Sequence, residues 1–230
     1  MCKRLSAAIS RKQIKETFGN LKLPEDILKN YNVSPGMQVY TITNETPQVV
    51  KQMQWGLIPF WASNRNSPDV LYNARKEGIT SSVSFRIPVR QRRCLILTDS
   101  YYVWTKENNE RKPYRVTPKD GSICIVAGIW DRWNNNGNSK ESCAIVTTQS
   151  NSDLNEYVNR MPLILKDTDE AVFWLKEQNL NNLMQFMDEE REDYLGVYRI
   201  NEAVNNPAFN SVDLHQRFIW SPSLFDTQAV

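Results

Sequence analysis

Residues 124–148, CIVAGIWDRWNNNGNSKESCAIVTT, decide the fold class of this chain. Two runs rich in β-branched and aromatic residues, CIVAGIWDRW (124–133) and CAIVTT (143–148), flank a stretch of Asn, Gly and Ser residues. Runs of this composition favour strands, and the polar stretch between them is typical of a turn. The sequence therefore predicts an antiparallel hairpin here.

Short strand-like runs of the same kind occur elsewhere along the chain. They are QVYTIT (38–43), VVKQMQW (49–55), CLILTD (94–99), YYVWT (101–105), PYRVT (113–117) and YLGVYRIN (194–201). No Gly/Ser-rich or Pro-rich linker divides the sequence, and no repeat is visible. The pattern predicts an α+β fold in a single domain over residues 1–230, with short helices and a mainly antiparallel sheet that curls into a barrel-like core.

Helices are predicted around SRKQIKETFG (10–19), SPDVLYNARKEG (67–78), NSDLNEYV (151–158) and DTDEAVFWLKEQ (167–178). In the first of these, Ser10 and Gln13 form a capping box and Gly19 is a typical stop. The last begins with acidic residues in its first turn, where the helix dipole favours them.

The composition, 40% hydrophobic and 23% charged over 230 residues, is that of a soluble globular protein. No apolar run approaches the roughly 20 residues that span a bilayer, so we expect a cytoplasmic protein without a membrane partner, nucleoid-associated if bacterial. The net charge of +2 does not by itself indicate a nucleic-acid partner. However, Arg86, Arg90, Arg92 and Arg93 lie in a stretch without acids, which indicates either a basic face or ordinary solvated charges.

The cysteines and the single histidine do not predict a metal site. Cys2, Cys94, Cys124 and Cys143 lack the paired spacing of zinc ligands, and His215 alone supplies no ligand set. The last three cysteines stand in apolar runs and are expected in the core. Gly-rich phosphate loops, nucleophile elbows and H-E-x-x-H motifs are also absent, so no cofactor is expected.

The second residue of the chain is a cysteine, in MCKR (1–4). Removal of Met1 by an aminopeptidase would give Cys2 a free amine and a thiol on adjacent carbons, which is a reactive pair. Further along, Asn73, Arg75, Asn159 and Arg160 interrupt apolar surroundings. These polar residues indicate either internal ion pairs, such as Arg75 with Glu77 or with a more distant acid, or a cleft that receives an anion.

The sequence resembles the SOS response-associated peptidase (SRAP) family, whose members shield abasic sites in single-stranded DNA through an N-terminal cysteine. The resemblance spans most of the chain. Its motifs are MCKR, YNVSPG, WGLIPFW, YNARKEG, RRCLIL, KPYRV, AGIWD, TTQSN and NRMPLIL.

This resemblance implies that Cys2 forms a covalent thiazolidine cross-link with the aldehyde of an abasic site. Such a reaction requires no metal or cofactor. Asn73 is then expected to position the reacting groups, and Arg4, Arg75 and Arg160 to hold phosphates, since the arginine fork suits phosphate oxygens.

The resemblance also indicates four further site residues, for which it implies less specific roles. Thr147 matches a polar contact of the family, and Pro35 lies in a loop near the site. Trp55 and Trp61, in WGLIPFW, are expected either to stack on bases or to belong to the core. The family also implies a monomer.

The sequence departs from the family at two positions. Val103 stands where the family has a glutamate, and Val158 stands where it has a histidine. Because valine cannot transfer a proton, acid–base catalysis, strand cleavage and peptidase-like release of the N-terminus are all in doubt. Glu77, Asp99 and Glu156 are possible replacements.

Two other interpretations stay open at this point. A non-catalytic pseudoenzyme would bind single-stranded DNA, or another anionic ligand, on the same fold without forming an adduct. A cysteine peptidase acting on other proteins is less consistent with the sequence, because no histidine accompanies Cys2 in a recognised motif.

Overall fold

The computed structural model describes residues 2–62, 71–135 and 137–219. Met1, whose removal the sequence analysis expects, and residues 67–70 of one predicted helix lie outside these ranges. The strands are β1 (Leu5–Ala7), β2 (Asn30–Val33), β3 (Gln38–Thr43), β4 (Val50–Trp55), β5 (Asn73–Arg75), β6 (Arg93–Thr98), β7 (Ser100–Glu107), β8 (Glu110–Pro118), β9 (Cys124–Asn135), β10 (Asn138–Gln149), β11 (Arg160–Pro162), β12 (Ile164–Leu165) and β13 (Leu195–Arg199). The helices are α1 (Arg11–Phe18), α2 (Pro88–Gln91), α3 (Thr168–Lys176) and α4 (Leu180–Asp188), and short 3₁₀ turns span Lys76–Gly78, Glu202–Asn205 and Val212–His215.

The predicted hairpin over residues 124–148 is confirmed as β9 and β10, which pair in antiparallel fashion with Cys143 opposite Trp130. Pairing then continues from β10 to β4, β3 and β6 and returns from β6 to β9. Only the β10–β4 pairing in this ring is parallel. The ring closes a five-stranded barrel, which confirms the α+β fold with a barrel-like, mainly antiparallel sheet.

Gly128 allows two strands of the barrel to approach closely. A Cβ atom at this position would lie 2.9 Å from the Cys94 sulfur on β6 and 3.2 Å from the Ala144 carbonyl oxygen on β10. Any side chain would therefore push these strands apart, which explains the glycine within the apolar run of β9.

A second, five-stranded sheet has the order β13, β8, β7, β1, β2, and its pairings are all antiparallel. A buried cluster joins it to the barrel, combining Leu5, Tyr101 and Val116 of this sheet with barrel residues such as Met53 and Ile96. The opposite side of the barrel packs against the helices α3 and α4. The N-terminal segment that carries Cys2 therefore enters the fold at the junction between the two sheets.

Two of the four helix predictions are confirmed. The helix α1 begins after Ser10 with a complete capping box to Gln13, and α3 begins after Asp167, whose side chain accepts a hydrogen bond from the backbone N–H of Glu170. The predicted strands, including the late one at β13, are also present.

The other two helix predictions are wrong. Residues 73–75 form the short strand β5, because this segment pairs in parallel with β10 from Ile145 to Thr147. Residues 152–157 form turns instead, and the Asp153 carboxylate ties them to β13 by accepting the backbone N–H groups of Tyr194 and Leu195. In both segments a long-range contact overrides the local helical pattern.

A polar cluster around Asp99 fixes β1 against β7 and the C-terminal region. One carboxylate oxygen accepts hydrogen bonds from the Ser6 hydroxyl (2.8 Å) and the Ala8 backbone (2.6 Å), and the other accepts Arg115 (2.9 Å). The His215 Nε2 atom lies 2.9 Å from the Ser6 hydroxyl. This cluster gives the single histidine a structural position beneath the strand that follows Cys2.

No helix within the described residues is long and apolar enough to cross a membrane.

Candidate functional site

Cys2 lies just before β1 and is 98% buried, with only 2% of its surface exposed. The Asn73 side-chain amide donates a 2.7 Å hydrogen bond to the Cys2 carbonyl, which ties the N-terminal segment to strand β5. The thiol makes a long contact of 3.7 Å with the carbonyl oxygen of Arg4. Asn73 thus holds the backbone of Cys2, and its role in positioning the reacting groups stays a prediction.

Burial changes the chemistry of the Cys2 thiol. Desolvation raises the pKa of this thiol to about 12, and the backbone contact with Arg4 lowers it only in part. The group is therefore a neutral thiol at physiological pH rather than a preformed thiolate.

The adjacent strands β5, β10 and β11 bring three more predicted site residues, Arg75, Thr147 and Arg160, close together. Thr147 on β10 is opposite Arg75 of β5 on one side and Pro162 of β11 on the other. The Arg160 guanidinium on β11 donates to both the carbonyl (2.9 Å) and the hydroxyl (3.3 Å) oxygens of Thr147. Thr147 is fully buried, so it acts here as a fixed support for Arg160.

Arg160 is also held by a carboxylate. Its two terminal nitrogens lie 2.9 and 3.0 Å from the two carboxylate oxygens of Glu77. This bidentate hydrogen bond to Arg160 lowers the pKa of Glu77. An ion pair near this position was one sequence interpretation, but the partner of Glu77 is Arg160 rather than its neighbour Arg75.

Arg4 is oriented from two directions. Its guanidinium donates to the Ser34 hydroxyl, in the turn that contains Pro35, and its backbone carbonyl accepts the N–H of Tyr102 at 3.0 Å. The YNVSPG segment is therefore placed beside the N-terminal segment, where the sequence analysis expects Pro35.

Arg4 and Arg160 line a common cleft of about 670 Å³. Val103 and Val158, the two positions at which a departure from the resembled family is expected, belong to the same lining. The complete lining is Lys3, Arg4, Val103, Trp104, Lys106, Arg111, Val158, Arg160 and Asn205. It contains five cationic side chains, and within the described chain it includes no carboxylate or imidazole.

Several buried polar atoms at this site have no protein partner within the described part of the chain. They are the Nε atoms of Arg4 and Arg160 and the Oδ1 atom of Asn73. A buried donor or acceptor without a partner is costly, so an arrangement of two such guanidinium groups in one cleft suits an anionic ligand. No group of His, Cys, Asp and Glu able to hold a metal ion occurs among the described residues.

The two predicted tryptophans lie elsewhere. Trp55 is fully buried, and its indole N–H donates to the Tyr72 carbonyl at 2.9 Å, so it offers no ring face to a base and belongs to the core. Trp61 is 53% exposed but does not line the cleft. Its stacking role stays a prediction.

The proposed replacement acids do not line the cleft either. Asp99 is bound within the cluster of Ser6 and Arg115, and Glu156 is exposed in the turns before Val158. Glu77 reaches the edge of the site only through Arg160.

Five residues of the lining were not among the predicted site residues. Two of them are Lys3 and Asn205, and the other three are Trp104, Lys106 and Arg111. These three lie on the hairpin of β7 and β8 around the Asn108–Asn109 turn. The sequence offered one signal that could have predicted them, namely the alternation of side chains along the strands on either side of the turn. Alternate residues of a strand lie on the same face of the sheet.

The sequence model of the SOS response associated peptidase (SRAP) family matches residues 1–207, and the chain belongs to that family. The chain is 34% identical to the abasic site processing protein YoqW of Bacillus subtilis over 224 residues, covering 93% of this chain and 98% of YoqW. It is 32% identical to the abasic site processing protein YoaM of the same organism, covering 80% of this chain and 83% of YoaM. A crystal structure of a protein from Bacteroides thetaiotaomicron superposes with a TM-score of 0.81 at 26% identity, covering 95% of this chain and all of that one.

The buried thiol predicts slow alkylation of Cys2 in the folded protein. With a pKa of about 12, only about one thiol in 10⁴ is ionised at pH 8, against roughly a quarter for an ordinary cysteine. Iodoacetamide labelling followed by peptide mapping should show Cys2 reacting at least 10³-fold more slowly than in urea. From pH 8 to 9 the native rate should rise about tenfold, whereas an ordinary thiol gains about threefold. Rapid native labelling at pH 8 would contradict this assignment.

Proposed function

We propose that this protein binds single-stranded DNA and captures the aldehyde of an abasic site as a thiazolidine on Cys2. The observation that carries the proposal is a cationic cleft that contains two partly unpaired arginines, Arg4 and Arg160. Cys2 does not itself line this cleft, but it lies two residues before Arg4, and Asn73 fixes its backbone. The relatives named abasic site processing proteins support it. Removal of Met1 is part of the proposal, because the reaction needs the Cys2 amine.

The chemistry requires two bond-forming steps at one carbon. The amine of Cys2 attacks the aldehyde carbon, and loss of one water gives an imine. The sulfur then adds to the imine carbon, and the thiol proton passes to the nitrogen. The net reaction releases one water and needs no oxidant, reductant or metal.

The raised pKa of the thiol favours the amine as the first nucleophile. Because burial raises the pKa of Cys2, the sulfur is a poor nucleophile toward a free aldehyde, and the amine acts first. Once the imine forms, the Cys2 sulfur and the imine carbon belong to the same molecule, and closure of the five-membered ring is intramolecular. This proximity compensates for the low nucleophilicity of the neutral thiol. The thiol supplies the proton that the nitrogen gains.

This order also accounts for a reaction without the glutamate and histidine of the family. Val103 and Val158 leave the described lining of the cleft without a carboxylate or an imidazole, so water or a lysine of the lining carries protons during imine formation. General acid–base catalysis typically contributes about 10²- to 10⁴-fold, and the reaction here is expected to be slower by a factor in that range. Strand cleavage, which needs the same proton transfers, is expected to be weak.

Arg4 and Arg160 bind the phosphates that flank the lesion. Each is already oriented, Arg4 by Ser34 and Arg160 by Thr147, so little side-chain freedom is lost on binding. The free Oδ1 atom of Asn73 is an acceptor for a hydroxyl of the opened sugar or for the Cys2 amine. Arg75, which is exposed on β5, extends the phosphate contacts beyond Thr147.

A second candidate function is noncovalent shielding of single-stranded DNA. The specific observation in its favour is that two apolar side chains, Val103 and Val158, stand within the cationic lining. Such a protein would bind abasic DNA in a salt-sensitive manner and leave the aldehyde unchanged.

The test is intact mass spectrometry of the protein after incubation with a single-stranded oligonucleotide that carries one abasic site. The proposal predicts a starting mass without Met1 and a new species equal to protein plus oligonucleotide minus one water. The Cys2→Ala variant should give no stable adduct, although borohydride should trap its reversible imine. An oligonucleotide with a tetrahydrofuran analogue, which has no aldehyde, is the control. Binding without any adduct would select the noncovalent function.

The Glu77 carboxylate is expected to weaken DNA binding, because it occupies the two terminal nitrogens of Arg160. In the Glu77→Gln variant, Arg160 keeps its Thr147 contacts but loses the competing charge. We expect about two- to fivefold tighter binding of the tetrahydrofuran oligonucleotide by fluorescence anisotropy, since a partly exposed ion pair is worth up to about 1 kcal/mol. Glu156→Gln removes the same charge from an exposed turn and is the matched control. Equal effects of both changes, or weaker binding by Glu77→Gln, would contradict the expectation.

A further inference from the structure

The hairpin of β7 and β8 has a fixed register. Its two-residue turn consists of Asn108 and Asn109, whose φ angles of 47° and 69° are the positive values that a type I′ turn requires. Glu107 then pairs with Glu110, and Lys106 pairs with Arg111. Because directly opposite residues of an antiparallel pair share a face, this register decides which charges stand together.

One face of the hairpin carries two cations side by side. Lys106 and Arg111 are directly opposite each other, and both are exposed. Like charges in this arrangement repel and destabilise the strand pair. Within the described ranges, neither side chain forms an ion pair or a hydrogen bond with another residue, so nothing in the protein offsets the repulsion.

The other face contains an acidic pair, and there the repulsion is offset. Glu110 is bound by Lys112, whose Nζ atom also lies 3.0 Å from Glu202. Glu107 has an Arg199 guanidinium nitrogen 4.0 Å from its carboxylate. The hairpin therefore neutralises one pair of like charges and leaves the other pair, Lys106 and Arg111, uncompensated.

The uncompensated pair faces the cleft. Lys106 and Arg111 belong to its lining together with Lys3, Arg4 and Arg160. Trp104, two residues before Lys106 and therefore on the same strand face, lines it as well. The cationic lining thus continues from the neighbourhood of Cys2 along one arm of the hairpin.

We propose that Lys106 and Arg111 form a phosphate subsite that holds the DNA strand to one side of the abasic position. This proposal rests on the proposed function and extends it beyond Arg4 and Arg160. The arginine supplies a planar fork and the lysine a point charge to the same phosphate group or to two successive ones. Bound phosphate offsets the repulsion between the two cations, which no described residue of the protein does.

The test is equilibrium binding of a single-stranded oligonucleotide with a central tetrahydrofuran abasic analogue, measured by anisotropy over a range of salt concentrations. The double variant Lys106→Gln/Arg111→Gln should bind roughly tenfold more weakly at 100 mM salt. Its plot of log affinity against log salt should be less steep by about 1.4, which corresponds to two phosphate contacts on a single strand. The matched control, Lys12→Gln/Lys15→Gln, removes the same charge from the exposed surface of α1 and should change both values little.

A second measurement locates the subsite and excludes misfolding. Shortening the oligonucleotide from one end should weaken binding by the wild-type protein but not by the Lys106/Arg111 variant, whereas shortening from the other end should affect both alike. The variant should melt at the same or a higher temperature than the wild type, because it has lost a repulsive pair.

The outcomes separate this inference from the proposed function. Wild-type protein that binds and cross-links abasic DNA, together with unchanged affinity in the Lys106/Arg111 variant, would overturn the subsite alone. An equal loss in the α1 control would also overturn it, since net charge would then explain the effect. Wild-type protein that neither binds nor cross-links would overturn the proposed function and the subsite with it.

Discussion

The hydrogen bond from the Asn73 amide to the Cys2 carbonyl is the interaction on which the site depends. It links the N-terminal segment, which leads into the second sheet, to β5, a short strand that pairs with the barrel strand β10. Asn73 is itself fixed because β5 pairs with β10, and β10 also carries Thr147, which orients Arg160. The strand β10 thus supports both Cys2, through β5 and Asn73, and Arg160, through Thr147. Such preorganisation is what a reaction without strong acid–base catalysis needs most.

The electrostatic potential at the surface depends on which basic side chains lack a nearby carboxylate. The net charge is only +2, yet the lining of the cleft contains five cations. Elsewhere, carboxylates neutralise many bases locally, as Glu141 does for Lys51 and Asp99 does for Arg115. The cleft can therefore attract a nucleic-acid backbone although the whole protein is nearly neutral.

Local signals predicted much of the fold and part of the site. The turn between β9 and β10 and the capping box of Ser10 are determined by neighbouring residues, so they could be predicted from the sequence. The strand β5 could not, because only its pairing with β10 makes residues 73–75 extended. For the same reason the partner of Glu77 was missed, since Arg160 is 83 positions away. The family resemblance supplied Cys2 and Asn73, whereas the pairing of Lys106 with Arg111 was not predicted, because it depends on the exact residues at which the hairpin turns.

The central claim is that both the amine and the thiol of Cys2 are consumed by an abasic aldehyde. An imine and a thiazolidine have the same mass, so the most direct measurement is a thiol count on the isolated, denatured adduct by alkylation and mass spectrometry. The chain has four cysteines, and none of them is oxidised in the structure. If a thiazolidine forms, three cysteines are alkylated in the adduct, with Cys2 unmodified by the reagent, and four are alkylated in the free protein. Four alkylated cysteines in the adduct would contradict the central claim, because the sulfur would then have remained free.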